Sequence, residues 1–180
     1  TGRVQSQTMA DKSQYQFAYS VDINGNVIET DVTDPRTYVR KITFDAASET
    51  LTDTRASGQP EQQTLTYTRD PNTEQVTDLE DALSRHTGYT YDVFGNVLSK
   101  TYMAGTSATA TYNYAYDPVW NKVTTITNPL NKTTTFTYDN HGNLSTVTDP
   151  LQHGVTLQYN PAGQPISIKD SLNNQVQLGY

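Results

Sequence analysis

The chain has 180 residues, 12 basic and 19 acidic side chains, a formal charge of −7 and a pI near 4.7. That balance, with no run of Lys or Arg, excludes a phosphate-neutralising nucleic-acid surface, and no stretch approaches the roughly 18 apolar residues of a membrane span. Cysteine is absent, which excludes disulfides and thiolate metal sites.

Residues 1–14 are polar and fit no pattern; an extended leader is predicted there. From residue 15 onward a mark recurs: an aromatic, then Asp or Asn, two or three residues, and usually Gly or Asn. Early copies are Tyr19 with Asp22 and Asn24-Gly25-Asn26, Phe44-Asp45, and Asp70. The clearest are Tyr91-Asp92-Val93-Phe94-Gly95-Asn96 and Tyr138-Asp139-Asn140-His141-Gly142-Asn143. Tyr116-Asp117-Pro118-Val119-Trp120-Asn121 and Tyr159-Asn160-Pro161-Ala162-Gly163-Gln164 are looser. Asp92, Asp117, Asp139 and Asn160 lie 25, 22 and 21 residues apart. A period of this length marks an array of small supersecondary units.

A second mark alternates with the first. Asn128-Pro129-Leu130, Asp149-Pro150-Leu151 and Asp170-Ser171-Leu172 are 21 residues apart, and Asp81-Ala82-Leu83 resembles them. Asx-Pro pairs start turns, because proline sets φ and the Asx side chain bonds the backbone ahead. The runs between marks alternate with period two, as in Thr133-Thr134-Thr135-Phe136-Thr137-Tyr138. Thr, Val and Tyr suit a pleated, half-buried surface. Each repeat therefore reads as two antiparallel strands closed by a turn at the Asp-x-x-Gly mark, with the Asx-Pro-Leu mark carrying the chain into the next hairpin. Asp78–Arg85 holds at most one or two helical turns. Gly58–Gln63 and Ala104–Ala110 read as insertions between hairpins. Leu, Ile, Val and Phe are only about a fifth of the chain, a share that accompanies disorder, but 13 tyrosines and abundant Thr supply the missing surface. The expected fold is all-β: tandem antiparallel β-hairpins over residues 15–180, about seven of them and best defined over 86–180, in one curved, twisted sheet. The last residue, Tyr180, falls where a further Asp is due, so the array is expected to continue in a longer parent.

The Tyr-Asp-x-x-Gly-Asn copies, with Tyr89-Thr90-Tyr91-Asp92 and Tyr114-Ala115-Tyr116-Asp117, resemble the RHS/YD-repeat family over about residues 15–180. The resemblance implies an open fragment of a hollow β-shell. In bacterial polymorphic toxins and insecticidal toxin complexes such a shell encloses a C-terminal toxic domain; in animal teneurins a similar shell belongs to an adhesion protein. The family's autoproteolytic aspartate pair has no counterpart here. The implied partners are the remaining repeats and the enclosed toxin domain, and the implied location is bacterial, secreted or cell-surface, with delivery by a secretion system.

The candidate residues are those of the motif: Tyr91, Asp92, Gly95, Tyr116, Asp117, Tyr138, Asp139, Gly142, Tyr159, Asn160 and Gly163. A row of Asp side chains could hold metal or sugar, but Asn160 replaces one of them and a catalytic carboxylate has no reason to recur in every unit; the better reading is that each closes its own turn. The tyrosines could stack on glycans, with Trp120, Tyr112 and Tyr114 as the outward candidates, or pack across strands. His86, His141 and His153 fall in three repeats without metal-binding spacing. Asp78, Glu80 and Asp81 offer oxygens but read as a solvated turn. No Gly-x-Ser-x-Gly stands in the chain. The expected role is non-enzymatic and cofactor-free: sequestration of a toxin by a shell, the alternative being a carbohydrate-binding or adhesion module.

Overall fold

The structure, a computed structural model, describes residues 2–180. Among them are sixteen strands and no helix. The strands hydrogen-bond in sequence order from β1 to β16 without a crossover, and the registers that follow are antiparallel. The chain is all-β, as expected. By its contacts it divides into two units, the first up to Gly88 with Tyr102–Ser107 and the second Tyr89–Thr101 with Ala108–Tyr180.

In the first unit run β1 Ser6–Thr8, β2 Gln14–Val21, β3 Val27–Thr33, β4 Val39–Phe44, β5 Thr50–Arg55, β6 Gln63–Arg69 and β7 Val76–Glu80, followed by the start of β8 His86–Tyr91. Asp78–Arg85 forms no helical turn: it is the end of β7 and a hairpin turn, because Asp81 closes its own loop before a helix can start. Ser6–Thr8 pairs with Gln14–Gln16 through a turn at Met9–Ser13. Phe17 opposes Val32, Thr30 opposes Ile42, and Tyr67 opposes Leu79 on one face. On the other face Thr43 opposes Thr52, Thr54 opposes Thr64, and both pairs join their hydroxyls at 2.7 and 3.0 Å.

The second unit holds β9 Val97–Tyr102 except its last residue, β10 Ala110–Tyr116, β11 Val123–Thr127, β12 Thr133–Tyr138, β13 Leu144–Thr148, β14 Gly154–Tyr159, β15 Pro165–Asp170 and β16 Gln175–Gln177. Its faces are sharply unlike. Tyr114 opposes Ile126, Phe136 opposes Val147, Val147 opposes Val155, and Leu157 opposes Ile168 on the apolar face. Thr125 opposes Thr135, Thr127 opposes Thr133, Thr137 opposes Thr146, and Thr146 opposes Thr156 on a threonine face. Period-two alternation sends each set to its own side. No hydrophobic side chain among the described residues is fully buried; the buried side chains are Asp53, Thr54 and Ser167. A single layer has no second sheet to cover it, so cross-strand pairs and turns take the place of a core.

The two marks prove to be the same kind of turn. The Asx-Pro-Leu segments are themselves hairpin turns, closed like the Asp-x-x-Gly ones by paired backbone bonds (Asn128 N to Lys132 O, Asp139 N to Asn143 O). What separates them is register. The strands entering the Asp-x-x-Gly turns shift register at the residue before Asx, at Tyr116, Tyr138, Tyr159, Val21, Phe44 and Arg69, while pairs joined by the other turns run without a shift. One extra residue on the outgoing strand makes a bulge there, which adds local twist. Ala56–Gln62 and Met103–Thr109, where insertions are expected, contain no Asx, and the β1–β2 turn opens on Met9 instead of Asx.

Candidate functional site

Each Asx turn is built by its first residue. In Asp92–Asn96, Oδ1 of Asp92 accepts the amides of Phe94 and Asn96 at 2.9 Å, and Oδ2 accepts Asn96 Nδ2 at 2.9 Å. Asp139 repeats this with His141 and Asn143, and Asp170 with Leu172 and Asn174. Asn128 and Asn160 make the same amide bonds with a neutral oxygen. The last loop position before the closing residue is left-handed: Gly25, Gly95, Gly142 and Gly163 have φ between 77 and 86°, and Thr37, Ser48, Ser84, Asn131, Gln152 and Asn173 fill the same position in other turns at 53–71°. This is the three-residue hairpin loop, a type I turn followed by an αL residue.

These bonds fix the carboxylate chemistry. Asn96, Asn26 and Asn174 hold the Asp92, Asp22 and Asp170 carboxyls below the usual range, and Arg85 holds Asp81 down to about 2. For Asp139, desolvation opposes the bonds from Asn143 and His141, which prevail. The aspartates are spent on their own turns. No group of three or more His, Asp or Glu side chains among the described residues could hold a metal ion. The cleft of about 500 Å³ beside Asp139, His141, Asn160 and Gly163 offers one carboxylate, and that carboxylate is already bonded to its turn.

The motif tyrosines join one repeat to the one before. The hydroxyls of Tyr116, Tyr138 and Tyr159 donate to the carbonyls of Val97, Val123 and Leu144 at 2.9, 2.7 and 2.9 Å. Each acceptor is the first residue of the strand that leaves the preceding motif turn. Burial pushes the Tyr116 and Tyr138 phenols up, with Asp92 and Asp117 of the preceding turns adding to it. Arg69 stands where Tyr would be before Asp70, and its Nη2 reaches the carbonyl of Thr50, which likewise opens the strand after a motif turn, at 3.4 Å. Tyr91 precedes Asp92 in the same position, and its ring stacks on Tyr89 with centroids 6.5 Å apart.

Neighbouring turns also touch. Asn96 Nδ2 donates to Asn121 Oδ1 at 2.7 Å. Lys122 Nζ donates to the Gly142 carbonyl at 2.6 Å and lies 5.5 Å over the Tyr138 ring. Trp120 packs on Gly142 so closely that a Cβ there would lie 2.8 Å from the indole, while 40% of Trp120 stays exposed. Tyr112 and Tyr114 are half-buried on the apolar face of β10. The Arg69 substitution and the Trp120–Gly142 contact are not evident from the repeat pattern. The signal for the first is position alone, one residue before Asp70.

One ion pair departs from the two-face rule. Arg40 grips Asp53 with two bonds of 2.8 and 2.7 Å, on the face where Asp53 opposes Ile42 and Leu65. The Asp53 side chain is 8% exposed, and the Arg40 bonds hold its carboxyl below the usual range. His86 Nδ1 meets Asp78 Oδ2 at 2.7 Å, which raises the imidazole pKa.

The RHS repeat family model matches residues 116–153. A comparison with curated protein sequences yields no match. Among solved structures the chain is similar to the crystal structure of TcdB2-TccC3-Cdc42, with a TM-score of 0.71 and 17% identity, over 91% of this chain and 10% of that chain. It is similar to that of TcdB2-TccC3-TEV, with a TM-score of 0.67 and 17% identity, over 96% and 10%. A TccC3 mutant of the Photorhabdus luminescens Tc holotoxin pore matches with a TM-score of 0.63 and 15% identity, over 93% and 11%. The chain thus spans about a tenth of the length of these proteins.

Proposed function

We propose that this chain, which is built of RHS/YD repeats, is a non-enzymatic wall segment of a shell that encloses a C-terminal toxin domain and sequesters it until delivery to other cells. The observation that carries this reading is the division of labour in the repeat: every motif turn is closed by its own Asx, and the motif tyrosines bond back to the preceding repeat. Such units extend a sheet by addition, each needing only its neighbours. A single layer with one apolar and one threonine face can separate an interior from solvent, which a ligand pocket does not require. The likeness to TcdB2-TccC3 structures supports the same role. The glycan-stacking alternative gains nothing specific, because the Trp120 ring is engaged with Gly142.

The test is made on the parent reading frame. It is expressed whole, and its C-terminal domain is probed with protease. The wall reading expects further repeats around this segment and a C-terminal domain cleaved far more slowly than the same domain expressed alone. Equal cleavage rates, or a frame without a C-terminal domain, would overturn it.

A further inference from the structure

The β4–β5 hairpin departs from the repeat at three places on one face. Ile42 opposes Asp53 and Lys41 opposes Thr54, so Arg40 faces Arg55 across the next pair. The place of Asp53 is apolar in other hairpins, filled by Val32, Leu79, Ile126, Val147 and Ile168. The place of Arg55 belongs elsewhere to the Asx that builds the next turn, as Asp170 does opposite Val155. Arg55 instead leads into Ala56–Gln62, which contains no Asx. Like charges directly opposite destabilise a sheet, so neither the turn nor the ladder accounts for an arginine there.

The carboxylates around Arg55 are all committed. Asp53 turns both oxygens to Arg40. Asp34 and Asp81 give Oδ2 to Arg36 and Arg85, and Oδ1 of each holds its own turn. The Tyr38 hydroxyl donates to Glu61, which pushes the phenol up. Arg55 is exposed and has no hydrogen bond or ion pair among the described residues. It is the cation left over, in a chain of net charge −7. It borders a cleft of about 420 Å³ with Tyr15, Val32, Arg36, Tyr38 and Arg40, a volume within the range of small-molecule sites. Arg36 and Arg40 each spend Nε and Nη2 on their carboxylate, which leaves Nη1 of both for a further acceptor.

We propose that this cleft binds a carboxylate on Arg55, with an aromatic or aliphatic body against Tyr15, Val32 and Tyr38. A guanidinium fork meets a planar oxyanion with two parallel bonds. One uncommitted positive charge suits the single charge of a carboxylate better than a phosphate dianion. An anion between Arg40 and Arg55 also offsets their repulsion. A free organic acid and an Asp or Glu side chain of the surrounding polypeptide present the same group, and the test separates them. The proposal goes beyond the wall reading.

The parent chain, expressed whole, is treated with phenylglyoxal, and the modified arginines are mapped by mass spectrometry. The probes are 4-fluorobenzoate and its neutral counterpart 4-fluorobenzamide. With a Kd of about 1 mM, ~10 mM 4-fluorobenzoate should slow modification of Arg55 roughly tenfold relative to Arg3, and the amide should not. That result assigns the site to a free acid. For the other source, the Arg55→Lys variant of the parent is treated with a carbodiimide, which condenses an amine and a touching carboxyl into an amide with loss of water to the reagent. A cross-link from position 55 to an Asp or Glu outside this hairpin and its following loop assigns the site to the polypeptide. Absence of both effects overturns the proposal, as does a cross-link confined to Asp53 or Glu61 without protection by the acid. Equal slowing by acid and amide without such an outside cross-link also overturns it. Neither readout depends on protease protection of a C-terminal domain, so the wall reading stands or falls separately.

Discussion

At the scale of the residue, the motif tyrosine does two jobs. Its ring covers part of the apolar face, and its hydroxyl closes a carbonyl at a bulge where the ladder is interrupted. Tyr138 is the clearest case: it opposes Leu144, and its hydroxyl lies 2.7 Å from the Val123 carbonyl. Tyr138→Phe keeps the ring and removes that bond. The expected cost is about 0.5–1.5 kcal/mol of unfolding free energy, read from denaturant melts. A Tyr138→Phe chain as stable as the parent would mean that solvent serves the carbonyl equally well, and the tyrosine would then be a packing residue only. The sequence makes the tyrosine visible through its recurrence, but not its bond. The acceptor lies 15 residues earlier, and only the paired strands reveal that Val123, Leu144 and Val97 occupy equivalent places. Arg69 was hidden for the same reason: its chemistry differs from Tyr, and only its place in the bulge identifies its role.

At the scale of the element, the turns were largely legible and the faces were not. Asp, Asn, Pro and Gly announce a hairpin loop through their backbone preferences. The kinship of the two marks was obscured because Gly fills the αL place in most of one set while Asn, Gln, Ser or Thr fills it in the other. Register decides which side chains share a face, and the bulge inserts a residue that no alternation rule predicts. The Asp78–Arg85 segment shows the same limit: its acidic, Leu-containing stretch suits a helix start, yet Asp81 closes a hairpin instead. Contacts between turns add a testable energy. Gly142 has φ 78° and sits under the Trp120 ring, whereas Gly25 has φ 86° with open space around it. Gly25→Ala should cost about 1–2 kcal/mol, the strain of an L-residue in αL. Gly142→Ala should cost more, because the indole must also move. In the double variant with Trp120→Ala the excess should vanish and leave only the backbone strain, a coupling measurable as a double-mutant cycle. Equal costs at the two glycines would show that the Trp120 contact is loose and contributes nothing to the wall.

At the scale of the whole molecule, turns and cross-strand pairs replace a buried core, so stability should follow the ionisation of the turn aspartates. Asp22, Asp92 and Asp170 are lowered by the Asn that ends each turn, Asp149 by the His153 amide, and Asp81 by Arg85 to about 2. A carboxyl whose folded pKa lies below its unfolded value of about 3.9 stabilises the fold above that value. It loses the contribution as pH falls through the folded pKa. The chain should therefore melt at progressively lower temperature from about pH 4 down to about pH 2, several small losses adding over many turns. His86 acts in the opposite sense: its raised pKa gives stability that is complete below about 6.5 and is lost as pH rises through the folded value. Between these limits the melting temperature should be highest. The assignment is checked by replacing Asp92, Asp139 and Asp170 together with Asn, the residue that closes the equivalent turns at Asn128 and Asn160. The amide oxygen still accepts the backbone bonds but cannot be protonated in this range. The triple variant should lose some stability at neutral pH and show a visibly shallower acid limb. An acid limb as steep as in the parent would move the sensitivity elsewhere, most directly to Asp53, whose carboxylate must stay charged to hold Arg40 on the apolar face.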